Sequence, residues 1–229
     1  MKFGLSNSAS LPTHLVDWVD SHILDRLVEY RSENTHASLM TLCMYNNLNL
    51  VKWVVENTPV DLTHNWYCYF RWACSEGCLD TAKYLYSKHP EIDLTVDRNY
   101  SMSSACEGGH LETVRWLESL KPETVCSSAL YASLAHPEIV RFLLSKKLFA
   151  FEEVNKAFKF ACEDGHVESV KTLYSLYPDT IAPNSSFILA VRHGRLEIVM
   201  FLSSRVEFEQ DMYITALTLA LGTKDSVMG

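Results

Sequence analysis

Ala105-Cys106-Glu107-Gly108-Gly109-His110-Leu111-Glu112-Thr113-Val114-Arg115-Trp116-Leu117 decides the fold, because its pattern returns along the chain. Gly165-His166 precedes Val167-Glu168-Ser169-Val170-Lys171-Thr172-Leu173, and Gly194-Arg195 precedes Leu196-Glu197-Ile198-Val199-Met200-Phe201-Leu202. Upstream, Gly77-Cys78-Leu79-Asp80-Thr81-Ala82-Lys83-Tyr84-Leu85 lies 32 residues before the Gly109 copy, and Asn46-Asn47-Leu48-Asn49-Leu50-Val51-Lys52-Trp53-Val54 lies 31 residues before that. Ala135-His136-Pro137-Glu138-Ile139-Val140-Arg141-Phe142-Leu143 fills the gap between Gly109 and Gly165, which makes six copies. A unit of about 30 residues cannot close its own core; it must stack on its neighbours, and stacking produces a solenoid with a long exposed face.

Each unit reads as helix, turn, helix. In the Gly109 copy a short first half with small residues, Ser103 to Cys106, precedes the turn, and apolar residues at 111, 114, 117 and 120 follow at helical spacing. Glycine ends the first helix because the residue past a helix end often takes positive φ, and Asn46, in the first copy, is the next most tolerant residue. The fourth copy is one residue shorter at its turn and carries Pro137 at the start of its second helix, where a missing N–H is harmless. Second helices open with an acid followed three residues later by a base: Asp80 with Lys83, Glu112 with Arg115, Glu138 with Arg141, Glu168 with Lys171. Such pairs contribute about 0.2 to 0.5 kcal/mol and mark a solvated face. Pro59, Pro90, Pro122 and Pro178 follow the second helices and stop them.

Composition narrows the function. The 229 residues are 48% hydrophobic and 11% aromatic, ample for a packed core, with a formal net charge of -8 and a pI near 5.6. The chain carries no basic run interleaved with aromatics, so no nucleic-acid partner is expected. It carries no apolar stretch long enough to span a membrane and no secretory signal, so no membrane partner and a cytoplasmic location are expected, the host cytosol for a pathogen protein. The seven cysteines are dispersed; Cys43, Cys74, Cys106 and Cys162 share one position just before the turn, where a free thiol packs as a small hydrophobe.

The Ala105–Leu117 run, with its counterparts over Ala161–Leu173 and Ala190–Leu202, resembles the ankyrin repeat: two small residues, two variable positions, glycine, histidine, then a Leu-Glu-x-Val-x-x-Leu helix. The resemblance covers roughly residues 36 to 229. It implies an all-α, ankyrin-like helical solenoid of about six to seven units, at approximately 36–64, 65–96, 97–125, 126–153, 154–182, 183–210 and a partial 211–229, behind an N-terminal helical cap over 1–35. The Thr-Pro-Leu-His opening of the family's first helix is replaced by Cys68-Tyr69-Phe70-Arg71, Tyr100-Ser101-Met102-Ser103 and Lys156-Ala157-Phe158-Lys159, and the second glycine is missing. Short or absent hairpins, with plain loops between units, are therefore expected. This divergent style resembles ankyrin proteins of large DNA viruses, intracellular bacteria and protists. Leu11 to Arg31, strongly helical in pattern, faintly resembles the start of an F-box, which gives an alternative role as a ubiquitin-ligase adaptor.

Two spacings invite chemistry. Cys106 with His110, and Cys162 with His166, could pair as nucleophile and base, and Cys74 with Cys78 could begin a metal site. A cryptic Cys/His thiol enzyme is the remaining alternative. These residues, however, come from the repeat pattern itself, and a catalytic constellation would not be copied at successive repeats; no catalytic, cofactor-binding or metal residues are assigned, and no enzyme is expected. His110, His136 and His166 are read as helix caps that also bridge adjacent units.

The resemblance also implies where a partner protein binds: the concave face, built from the residues entering each first helix and the two before each turn. The entry residues are His36, Tyr67, Asn99, Asn155 and Asn184; before the turns stand Met44 and Tyr45, Ser75 and Glu76, Glu107 and Gly108, Glu163 and Asp164, Arg192 and His193. Tyr45, Tyr67, Glu76, Asn99, Glu107, Asn155, Glu163, Asp164, Arg192 and His193 form the expected site. Their acidic centre calls for a partner segment with basic residues and an apolar anchor. Trp66, Tyr67, Tyr69, Phe70 and Trp72 crowd one first helix, and these rings either are exposed in part as contact residues or fill a wider groove left by the altered tetrapeptide.

Overall fold

The computed structural model describes residues 33–57, 60–179 and 181–222. Thirteen α-helices and one 3-10 turn, Pro122–Thr124, account for the regular structure among these residues, and no strand occurs. The helices pair as the repeat demands: α1 (Glu33–Met44) with α2 (Leu48–Asn57), α3 (His64–Ser75) with α4 (Leu79–Lys88), α5 (Val96–Glu107) with α6 (Leu111–Leu120). They continue as α7 (Ser127–Ala132) with α8 (Pro137–Lys146), α9 (Phe151–Asp164) with α10 (Val167–Leu176), and α11 (Pro183–Arg192) with α12 (Leu196–Arg205). A last helix, α13 (Gln210–Gly222), lies on α11 as each first helix lies on the one before. The connections between units are loops, as the missing hairpin signatures require.

The core is a continuous ribbon between the two helix layers. Tyr69, Phe70, Met102, Leu117, Leu130, Leu143, Phe158, Leu173, Phe187 and Leu202 are almost wholly buried along it. Each fully buried side chain of this size contributes about 1.5 to 3 kcal/mol, and no single unit supplies enough of them to stand alone. The small residues before each turn let the first helices approach closely. Ala73 and Cys74, Ala105 and Cys106, and Ala161 and Cys162 are all inaccessible to solvent. Between units, the Arg71 guanidinium lies 4.2 Å over the Tyr100 ring.

The turns follow the glycine argument. Gly77, Gly109, Gly165 and Gly194 all have positive φ, and Asn46 matches them at 54°. Gly109 has a second reason to lack a side chain: the ring of His136, from the next unit, would lie 2.5 Å from a Cβ there.

The histidine expectation is half corrected. His110, His136 and His166 occupy N-cap positions but make no side-chain cap bond. Bridging does occur: His136 Nε2 donates to the carbonyl of Glu107 at 3.0 Å, and Arg195 Nε, in the place of histidine, donates to the carbonyl of Glu163 at 2.8 Å. Cys78 Sγ reaches the carbonyl of Met44 at 3.6 Å in the same manner.

In the aromatic first helix the filling reading is the one that holds among the described side chains. Tyr69 and Phe70 are buried, not displayed, and Tyr67 and Trp72 are half-buried; Phe70 packs with Tyr86 and Trp116 at ring separations of 6.1 and 6.2 Å. These rings fill the space between units. Of the cap and F-box reading over 1–35, residues 1–32 lie outside the described residues, as do the side chains of His36 and Trp66, Pro59, and the end of the partial repeat over 223–229.

Candidate protein-binding surface

Because α1, α3, α5, α7, α9 and α11 stack in register, the residues at their C-terminal ends form a row. Tyr45 is 79% exposed at its start, followed by Glu76 and Glu107, both exposed, and then by Glu163 and Asp164, half-buried and exposed. Arg192 and His193 close the row on its exposed end. The fourth unit interrupts it. There α7 is only six residues long, and the two residues that follow it, Ser133 and Leu134, are buried. The acidic stripe is thus two groups separated by a neutral level, and its far end turns basic: His193 Nε2 stands 3.4 Å from Glu163 Oε1, beside Arg192.

The entry residues differ in kind. Tyr67 and Asn99, 32 positions apart, both take positive φ, at 58° and 60°, inside the first turn of α3 and α5. For a tyrosine this is an uncommon, strained conformation. The Tyr67 ring lies 5.8 Å from that of His89. Asn99 Nδ2 donates to Cys126 Sγ at 3.2 Å, and Asn155 accepts from the Ala182 N–H at 2.8 Å while its Nδ2 donates to the Phe151 carbonyl at 3.0 Å. The two asparagines therefore tie each unit to the next, whereas Tyr45, Glu76, Glu107 and Asp164 project into solvent.

Two sets of residues escaped the sequence reading although their signals were present. Asp61-Leu62-Thr63 and Asp93-Leu94-Thr95 recur ahead of α3 and α5. In each, the aspartate Oδ1 accepts from the threonine N–H at 2.9 and 3.0 Å and from its hydroxyl at 2.7 Å in both. These bonds, together with Lys121 at 3.0 Å, hold the Asp93 carboxyl down at about 2. The hydroxyl residue two places after the start of the second helix was also passed over. Thr81 Oγ1 donates to Asn46 Oδ1 at 3.0 Å, and buried Ser169 Oγ donates to the Leu134 carbonyl at 2.7 Å, each to a partner 35 residues earlier.

The four thiols that share the position before the turn are packed and neutral. Burial pushes Cys43 and Cys162 up to about 12 and raises Cys74 and Cys106 further, so none supplies a thiolate at neutral pH. Among the described residues no three His, Cys, Asp or Glu side chains converge as metal ligands, and no helix is long and apolar enough to cross a membrane.

Residues 70–118 match the family model of ankyrin repeats (many copies). The crystal structure of the human ASB11 ankyrin repeat domain superposes with a TM-score of 0.62 at 20% identity, covering 80% of this chain and 90% of that one. No curated protein matches. Residues 70–118 are thus similar to ankyrin repeats, and the chain has the fold of an ankyrin repeat domain.

Proposed function

We propose that this protein is a non-enzymatic adaptor that holds a partner protein on the concave face of its repeats, through the row of first-helix ends. Ankyrin repeats are protein-interaction scaffolds. The observation that supports this particular surface is that Tyr45, Glu76 and Glu107 are exposed and their side chains make no hydrogen bond or ion pair among the described residues, in contrast to Asn99 and Asn155. An aromatic ring beside two unpaired carboxylates suits a segment carrying Lys or Arg and one apolar anchor. Seven free cysteines suit a reducing, cytoplasmic setting, which belongs to the same proposal.

The test is capture from a cell lysate by the wild-type chain beside a Tyr45→Ala/Glu76→Lys/Glu107→Lys variant shown by circular dichroism to be folded. A protein retained by wild type and lost from the variant, with affinity that falls as salt rises, is the expected result. Equal capture by both would move the binding site off this row.

A further inference from the structure

Every second helix before α12 carries a cation at its fifth position: Lys52, Lys83, Arg115, Arg141 and Lys171. Two of them are neutralised by the acid three places earlier or by the acid that opens the next second helix. Arg115 meets Glu112 at 3.6 Å, and Lys171 meets Glu168 at 2.8 Å and Glu197 at 3.4 Å. Arg141 has neither partner. Glu138 of its own helix stands 4.0 Å from His136 Nδ1, and the hydrogen bond from Lys171, with Arg141 farther off, holds the Glu168 carboxyl below its usual value. Arg141 forms no ion pair among the described residues, and its Nε donates to the Pro137 carbonyl of its own helix at 3.3 Å.

Arg205 is left over for a different reason. Lys146, at the same tenth position of α8, reaches back to Glu118 of the preceding second helix at 3.2 Å. In α10 the residue at the place of Glu118 is Tyr174, so Arg205 has an aromatic ring behind it where Lys146 has a carboxylate. Its guanidinium lies 5.7 Å from the centre of the Phe201 ring and forms no ion pair among the described residues.

Both guanidiniums open on one groove of about 480 Å³ that crosses α8, α10 and α12, lined also by Lys171, Tyr174, Pro178 and Phe201. The Tyr174 and Phe201 rings meet edge-on at 5.7 Å and give it an apolar stretch. Three cations face one lining carboxylate, Glu168, in a chain whose net charge is -8.

We infer that this groove is a second docking site, on the second helices rather than on the first-helix ends, and that it takes an extended acidic segment of another protein. One Asp or Glu of the segment meets Arg141, another meets Arg205, and an apolar residue between them lies over Tyr174 and Phe201. A guanidinium pairs with a carboxylate through two parallel N–H···O bonds, which a lysine cannot match. The helices also set the spacing. Neighbouring helices pack about 8 to 10 Å apart, so α8 and α12, two steps apart, are separated by about 16 to 20 Å. Arg205 sits five places farther along its helix than Arg141, about 7.5 Å at the helical rise. An extended chain that advances about 3.3 Å per residue covers the resulting distance in about five to six residues.

The experiment measures fluorescence anisotropy of labelled Gly/Ser peptides of about twelve residues against the full chain at up to about 500 µM. Each peptide holds two glutamates with one leucine between or beside them, and the glutamates range from adjacent to about nine residues apart. The expected result is an affinity that peaks at a separation of about five to six residues and falls as salt rises. Arg141→Gln and Arg205→Gln should each weaken the best peptide about fivefold, and Lys83→Gln, a cation outside the groove, should leave it unchanged. Arg141 and Arg205 are exposed, so folding is retained, and circular dichroism verifies it. The separation profile of the wild type tests the inference independently of any variant. Absence of binding by every peptide, an affinity indifferent to the separation, or equal losses in all three variants would overturn it. Retention on phosphatidylserine vesicles that both arginine variants lose, with no preferred peptide separation, would overturn it in favour of a membrane surface.

Discussion

Gly109 carries two constraints at one atom. Its φ of 77° is costly for any residue with a Cβ, and the His136 ring occupies the space that a methyl would need. Gly109→Ala is expected to destabilise by more than about 1 kcal/mol, measured by urea unfolding. The buried thiols give a pH prediction. Cys43 and Cys162 stay protonated in the folded chain up to about 12 but titrate at 9.0 when unfolded, so above pH 9 the unfolded state loses protons that the folded state keeps. Their contribution to stability is whole below pH 9 and drains away between pH 9 and 12. Denaturation midpoints across that window should fall, and a Cys43→Ala/Cys162→Ala variant should fall less steeply. The same burial predicts that Cys43, Cys74, Cys106 and Cys162 resist a thiol reagent at neutral pH until the chain unfolds.

Among the elements, the second helices are held to the preceding unit by buried hydroxyls as well as by apolar contact. Ser169→Ala removes the donor to the Leu134 carbonyl and leaves that oxygen buried without a partner, a loss of about 1 to 3 kcal/mol that Ser169→Thr should largely avoid. The loops that open α3 and α5 depend on Asp61 and Asp93. Because the Asp93 carboxyl is held at about 2, its bonds to Thr95 and Lys121 persist above the ordinary carboxylate range and are lost as pH falls toward 2. An Asp93→Ala variant should have a lower melting temperature near neutral pH and converge with wild type in acid. Of the salt links between second helices, Lys146 with Glu118 at 3.2 Å joins an exposed ammonium to a half-buried carboxylate, and Lys171 with Glu197 at 3.4 Å is solvent-screened and adds little. Of the four acid–base pairs within second helices, those of Glu112 with Arg115 and Glu168 with Lys171 close, at 3.6 and 2.8 Å.

Across the whole molecule, stability is a chain of neighbour contacts, so damage at one end should spread only slowly to the other. Phe208 stacks on Phe187 at 4.3 Å and meets Tyr213 edge-on, joining α13 to α11. Phe208→Ala is expected to cost about 3 to 5 kcal/mol locally. Hydrogen exchange should then show α13 losing protection while α3 to α6 keep theirs; uniform loss along the chain would mean that the array unfolds as one unit.

The sequence by itself determined the repeat, its helix-turn-helix unit, the turn residues from Asn46 to Gly194 and the packed state of four cysteines. All of these are local, since periodicity, positive φ and small size are properties of residues and their spacing. Only the tertiary structure decided what each polar or aromatic residue of the unit meets. It sent Tyr69 and Phe70 inward, turned His136 toward the unit before, spent Asn99 and Asn155 on the unit after, and left Tyr45, Glu76 and Glu107 outside. It also decided that the acidic row breaks at α7, where Ser133 and Leu134 sink into the core. The physical reason is that a residue's neighbour in a solenoid lies some 27 to 35 positions away. That distance is set by how the units stack, and stacking depends on the whole of both surfaces rather than on any motif within one.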